Sequence, residues 1–363
     1  MLKFAPAVFA VERDYLVCAR VNEPCVMWVE VGDECYYDQS NGILRSATSL
    51  HKIKLPQKSL DAARKYTVCY RRIIERKPYF SELEDITRVE FSFYPVEGEA
   101  PRGYHIADAH GRVAPAVRAA RVYEESMGKM DFLILNGDVI DHSGKIENFD
   151  AIYEISSELT HGEKPIIFSR GNHDTRGIYA EKIADYTPTR GEFSYFTFRL
   201  GGIWGIVLDC GEDKPDENAE YGHTICCHDF RRRETEYLEK VCKNAKEEFL
   251  ADDVTRRIVV CHVPFTRRYE FPFNIEEETY EYWTKLISEH IKPDAMICGH
   301  LHKIQKYEPG CPEDAFGQGF TVSVTSLLDY KNPYHAGAGY TFAEDGITVA
   351  VADSGGAIKL DKI

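Results

Sequence analysis

Phe132-Leu-Ile-Leu-Asn-Gly-Asp-Val-Ile-Asp141 is the stretch that decides the fold. Its four leading apolar residues read as a short strand buried on both faces, the kind found in a sheet covered by helices. The run stops at Asn136-Gly137, a turn signal, and the next polar residues are Asp138 and Asp141. Outward in both directions the same figure repeats. Tyr104-His-Ile-Ala leads into Asp108-Ala-His110-Gly, and Pro165-Ile-Ile-Phe168 leads to Gly171-Asn-His-Asp174. Further on, Arg257 to Cys261 is followed by His262-Val-Pro, and Ala295 to Cys298 by Gly299-His-Leu-His302. Ala114 to Met127 and Glu147 to Leu159 read as helices between these strands. Strands alternating with helices predict an α/β (mixed α+β) catalytic domain over residues 98–363.

Ligands in open α/β sheets bind beyond the carboxyl ends of the strands, so five loops of this composition can converge on one site. Asp, Asn and His together suit borderline cations such as Mn, Fe or Zn better than Ca or Mg, which prefer shells of oxygen alone. Two such divalent transition-metal ions about 3.5–4 Å apart can polarise both the attacking and the leaving oxygen of an in-line displacement. Taken singly, each of these histidines is more often a surface or satisfied core residue. Seven ligand types at strand ends, in order, reverse that reading.

Residues 1–97 have a different rhythm. Alternating stretches such as Tyr15 to Val21 and Cys25 to Val31, bounded by Asn-Glu-Pro and Gly-Asp, predict an antiparallel β-sandwich. Leu60 to Tyr66, then Val68 and Tyr70, resembles the tyrosine corner of fibronectin type III-like sandwiches. Pro95 to Pro101 forms a turn-rich boundary.

Composition removes other classes. The 44 basic and 59 acidic residues give a net charge of −15, and the basic ones are scattered, which argues against duplex nucleic acid as partner. Arg231-Arg232-Arg233 is followed by Glu234 and Glu236 and reads as a solvated helix face. No apolar run reaches the ~20 residues of a membrane span, and the first eleven residues lack the features of a secretory signal. Eleven cysteines without any CxxC pair read as free thiols in a reducing compartment, so a cytoplasmic protein is expected.

The five blocks are similar to those of the calcineurin-like metallophosphoesterases, DxH, GDxxD, GNH(D/E), a lone His and GHxH, in order from Asp108 to His302. That resemblance implies two packed mixed sheets flanked by helices and a binuclear metal centre. It implies that Asp108, His110 and His302 hold one metal, that Asp138 bridges, and that Asn172, His262 and His300 complete the second. It implies His173 as general acid, oriented by Asp141, with water attacking phosphorus directly. The preceding sandwich looks like the layout of purple acid phosphatases, with two departures. His110 stands where that group has Gly, and Asp141 where it has a tyrosinate ligand, so a colourless site without ferric iron is expected. His142 stands where protein serine/threonine phosphatases have Arg, which argues against a protein substrate.

A small phosphorylated substrate is therefore expected, a phosphomonoester before a phosphodiester of small nucleotides or lipid head groups. A non-catalytic interaction protein on the same fold is the alternative class. It is disfavoured because relics of that kind lose ligands, and none is lost here. Arg176, His142 and Tyr221, the Glu212 to Phe230 loop and Arg267-Arg268 are candidates for the substrate wall, and Asp174 reads as a loop-holding residue. The sandwich is left two roles, shaping the cleft or mediating a homodimer.

Overall fold

The computed structural model describes residues 1–362. Two mixed sheets pack face to face, joined where the strand Val322–Asp329 passes from one to the other. Its first half pairs with Ala295–Cys298 and its second half with Tyr334–Ala343. One sheet carries Arg102–Ile106, Phe132–Asn136 and Pro165–Ser169 as parallel neighbours. The other carries Ile203–Leu208, Arg256–Cys261 and Ala295–Cys298, also parallel.

Side-chain alternation explains the layering. Ile203 and Val207, with Ile258 and Val260, point into the core between the sheets. Trp204, Ile206, Leu208, Val259 and Cys261 point the other way, into a second core. That outer core is closed by the helices Cys227–Lys243 and Glu277–Leu286, through Leu238, Val241, Trp283 and Leu286. On the far side, the helix Val113–Met127 lies on its sheet through Ala116, Ala120 and Tyr123. The Tyr123 ring lies where a Cβ on Gly339 would be, 1.9 Å from its nearest ring atom, so that strand position admits only glycine.

The N-terminal region has two β layers, and one of them belongs to the large sheet. Ala7–Val11 pairs in parallel with Pro165–Ser169, and Asp14–Arg20 and Leu50–Pro56 extend the sheet outward. Cys25–Val31, Glu34–Tyr37, Lys65–Glu75 and Thr87–Ser92 form the second layer. The chain rhythm changes near residue 97, but neither the sheet nor the core is interrupted there. Met27, Val29 and Val68 share one buried cluster with Leu133 and Ile166.

Tyr66 corrects one expectation. Its hydroxyl donates to the carbonyl of Gly162 at 2.8 Å, across to the other half of the chain, and so does not close a tyrosine corner within its own sandwich. Arg231 corrects another: it is buried, and its guanidinium donates to the carbonyls of Cys210 and Glu212 and to Glu276. Only Arg232 and Arg233 form the solvated face, paired with Asp229 and Glu236.

Candidate metal centre

Each of the five parallel strands Arg102–Ile106, Phe132–Asn136, Pro165–Ser169, Arg256–Cys261 and Ala295–Cys298 ends in one of the loops singled out above. Three come from one sheet and two from the other, so the site straddles the carboxyl edges of both. The first two loops stay paired past their strands, with the N–H of His110 donating to the carbonyl of Asp138 at 2.9 Å.

The backbone here is unusual. Asp108, His110, Asp138, His300 and His302 all have positive φ, between 45° and 69°. Left-handed conformation at a non-glycine residue costs on the order of 1–3 kcal/mol and persists only where surrounding structure enforces it. Five of the seven expected ligands carry that strain, which aims their side chains at one point. Gly171 gives the reason for the neighbouring glycine: a Cβ there would lie 2.2 Å from Asp138 Oδ1 and 2.5 Å from its amide nitrogen.

Each carboxylate is half committed. Asp108 Oδ2 accepts from the His300 N–H at 2.9 Å and from the Ser326 hydroxyl, while Oδ1 faces His302 Nε2 at 3.2 Å and His262 Nε2 at 3.7 Å. Asp138 Oδ1 accepts from the His173 N–H at 2.8 Å, while Oδ2 faces His262 Nε2 at 3.2 Å and His110 Nε2 at 3.9 Å. The Nδ1–H of His262 donates to the Asn136 carbonyl at 2.7 Å, which fixes the ring and turns Nε2 inward, free to become a ligand when its proton leaves. Asp174 holds the loops, as its residue type suggested, accepting from the N–H groups of Gly171 and Asp138.

These atoms fit a pair of first-row cations. Ligand bonds of about 2.0–2.2 Å put neighbouring donors of one shell roughly 3.0–3.5 Å apart. The observed edges are Asp108 Oδ1 to His302 Nε2 at 3.2 Å, His110 Nε2 to His302 Nε2 at 3.4 Å, Asp138 Oδ2 to His262 Nε2 at 3.2 Å, and His300 Nδ1 to Asn172 Oδ1 at 3.1 Å. Asp108 Oδ1 and His262 Nε2 are buried and lack hydrogen-bond partners among the described residues. Buried polar atoms are rarely left so, and here they point together.

Charge is shared accordingly. Burial disfavours the charged form of His262, but Asp138 and Asp108 outweigh it and push the imidazole up to about 10. Burial and the neighbouring His262 hold His300 down at about 4. Burial raises Asp108, yet His262 and His302 bring its carboxyl well below the usual range.

His173 lies beside this cluster, its ring centroid 4.6 Å from that of His110. Its Nδ1 faces the backbone carbonyl of Asp141 at 3.2 Å. The Asp141 carboxylate was expected to make that contact; it turns instead to His110 Nδ1, 3.6 Å away, and is exposed. His173 Nε2 lies 3.3 Å from Arg176 Nη1. Arg176 is gripped by Glu212 through Nε and Nη2, with Asp213 and Glu220 behind it. Tyr221 donates to Asp213 and so belongs to the same wall. His142 Nδ1 accepts from the Gly144 N–H in a local turn, and Arg267 lies against Tyr269 and Tyr307, so neither is engaged at the cluster. Tyr330 was not anticipated: its ring lies 5.4 Å from that of His302 and 5.9 Å from that of His110.

The sequence pattern of the calcineurin-like phosphoesterases matches residues 102–304, more than half of the chain. The chain belongs to that family. No curated protein sequence matches it. Among solved structures, purple acid phosphatase PPD1 from yellow lupin (Lupinus luteus) seeds is similar at 12% identity and a TM-score of 0.61, over 98% of this chain and 73% of that one. GAP50, the anchor in the inner membrane complex of Plasmodium, matches at 13% identity and a TM-score of 0.47, over 73% of this chain and 89% of that one. The first likeness shows that the fold extends through the N-terminal region.

Proposed function

We propose that this phosphoesterase-family protein hydrolyses small phosphate esters at a binuclear centre held by Asp108, His110, Asp138, Asn172, His262, His300 and His302. The observation that carries the reading is the set of donor–donor edges near 3.1–3.4 Å, closed around carboxylate and imidazole atoms that have no other partner. When bound, such a cation pair supplies polarisation of phosphoryl oxygens and an acidified water.

The chain's own residues then have distinct tasks. Asp138, whose Oδ2 faces both His262 and His110, would serve both halves of the centre, while the His173 N–H restrains its other oxygen. His262 is kept in one tautomer by Asn136. His173 is assigned the proton for the departing alkoxide, with the Asp141 carbonyl holding Nδ1–H and leaving Nε2, now beside Arg176, to carry that proton. A proton on Nε2 requires the 3.3 Å Arg176 contact to open, and Glu212 retains the guanidinium when it does. No phenolate belongs to the assigned ligand set, so an iron-loaded sample is expected to lack a strong visible band.

The test is a panel of phosphomonoesters and phosphodiesters assayed with added Mn. Turnover that is abolished by a chelator and restored by the metal is expected, monoesters leading. Full activity in metal-free protein would overturn the reading.

A further inference from the structure

Tyr330 sits at the tip of the hairpin between Val322–Asp329 and Tyr334–Ala343, and it is 58% exposed. Hairpin tips are ordinarily the loosest part of a fold, and a large aromatic side chain gains stability from burial. Here the backbone of the tip is tied down while the ring stays exposed. Arg112, two residues beyond His110, sends its guanidinium across to the hairpin and donates to the carbonyls of Asp329, Tyr330 and Asn332. The Asp329 carboxylate tightens the same turn, accepting from the Lys331 N–H at 2.8 Å and from Asn332 Nδ2 at 2.7 Å. The Arg112 guanidinium also lies 5.5 Å from the Tyr330 ring centroid. One loop therefore supplies both His110 to the cluster and the clamp that fixes an exposed ring at its rim.

We propose that Tyr330 is a substrate-contact residue whose exposed ring stacks on a flat aromatic group of the phosphoester, a nucleobase or an aryl ring, while the phosphate occupies the metal cluster. The inference rests on the phosphoester reading above. Its physical basis is placement: the ring is within 6 Å of two rings of the ligand set, on the rim of the centre that would take the phosphate. A π-face held without freedom to collapse loses little entropy when a planar group lands on it. The Arg112 guanidinium near the ring adds a positive charge on the same rim, where an anionic substrate gains from it.

The experiment uses the Mn-loaded full chain with AMP, phenyl phosphate and glycerol 3-phosphate, for wild type, Tyr330→Ala and Tyr330→Phe. Metal content is measured on every sample, and binding of 5′-deoxy-5′-(phosphonomethyl)adenosine, a phosphonate in which carbon replaces the scissile ester oxygen, is followed by calorimetry. Base stacking on an aromatic side chain corresponds to about a 5–150-fold change on truncation to Ala. Tyr330→Ala should raise the ratio of KM for AMP to KM for glycerol 3-phosphate by that amount and weaken the phosphonate similarly. Metal content should hold, and Phe should restore the ratio. An effect on AMP alone assigns a nucleobase; an equal effect on phenyl phosphate assigns any aryl ring.

Equal losses on all three esters would make Tyr330 a cover for His110 and His302, and overturn the proposal. So would loss of metal, or a visible band in an iron-loaded sample that disappears in Tyr330→Phe, since the phenol would then be a ligand. If wild type hydrolysed none of the esters yet bound the phosphonate in a Tyr330-dependent way, hydrolysis would fall and the stacking site would stand.

Discussion

Two buried clusters of Asp and His among the described residues differ in backbone strain and in hydrogen-bond satisfaction. In the N-terminal region Cys25 Sγ lies 3.2 Å from His51 Nε2, His51 Nδ1 lies 2.7 Å from Asp38 Oδ2, and Asp38 Oδ1 lies 3.4 Å from Arg45. Every polar atom on that path has a neighbour to bond, and Cys25, Asp38 and His51 have no positive φ. At the metal centre the backbone is strained at five positions, and Asp108 Oδ1 and His262 Nε2 converge without partners. Burial, residue type and proximity are shared by both clusters. Strained backbone and unsatisfied, convergent ligand atoms separate a site fit to hold an ion from a core network that holds itself.

Mutation should separate the two clusters. At the metal centre, substitutions should cost function and leave the fold. His173→Ala should slow hydrolysis of alkyl phosphates by about 10²–10⁴-fold with metal content unchanged, and affect p-nitrophenyl phosphate much less, because nitrophenolate leaves without a proton. Steady-state rates on both substrates check this. Equal slowing of both would make His173 an electrostatic stabiliser. Asp141→Asn keeps the backbone carbonyl that meets His173, so it should not reproduce that trend.

In the N-terminal cluster the pattern should invert. Asp38→Ala leaves a buried imidazole nitrogen unpaired and should lower unfolding stability by about 1–3 kcal/mol, measured by denaturant titration, with kcat per folded molecule unchanged. A fall in kcat with stability intact would mean that the two clusters communicate.

A smaller, graded effect sharpens the contrast through pH. His262 in the metal-free protein holds its proton up to about pH 10, because Asp138 and Asp108 outweigh the effect of burial. A cation must displace that proton, so metal affinity should rise about tenfold per pH unit between pH 7 and 9 for each proton released. Calorimetry in buffers of different ionisation enthalpy counts the protons. No proton release at pH 8 would show that Asp138 and Asp108 do not hold His262 protonated in the metal-free protein.

The metal loops were legible in the sequence because each is local: an apolar strand, a glycine and a ligand type lie within a few residues of one another. What was hidden is non-local. The parallel pairing of Ala7–Val11 with Pro165–Ser169 joins segments far apart in the chain, and no short-range pattern announces it. The Tyr66 bond to Gly162 belongs to that same packing, and Arg231 is buried by Cys210, Glu212 and Glu276, none of them near it in sequence. The family resemblance points to Asp141 as the residue that orients His173, but the contact is made by its carbonyl, and backbone groups carry no residue signature. Tyr330 lies beyond the last motif, and it reaches the centre only through three-dimensional contacts, the Arg112 clamp and the rings of His110 and His302.

The central claim is that unsatisfied convergent donors mark the metal site, and the most direct test is elemental analysis of purified, metal-loaded protein. Wild type and Asp38→Ala should each carry close to two transition-metal ions per chain, and Asp138→Asn should lose most of both because its carboxylate serves both halves. Metal retained in Asp138→Asn, or lost in Asp38→Ala, would contradict the account.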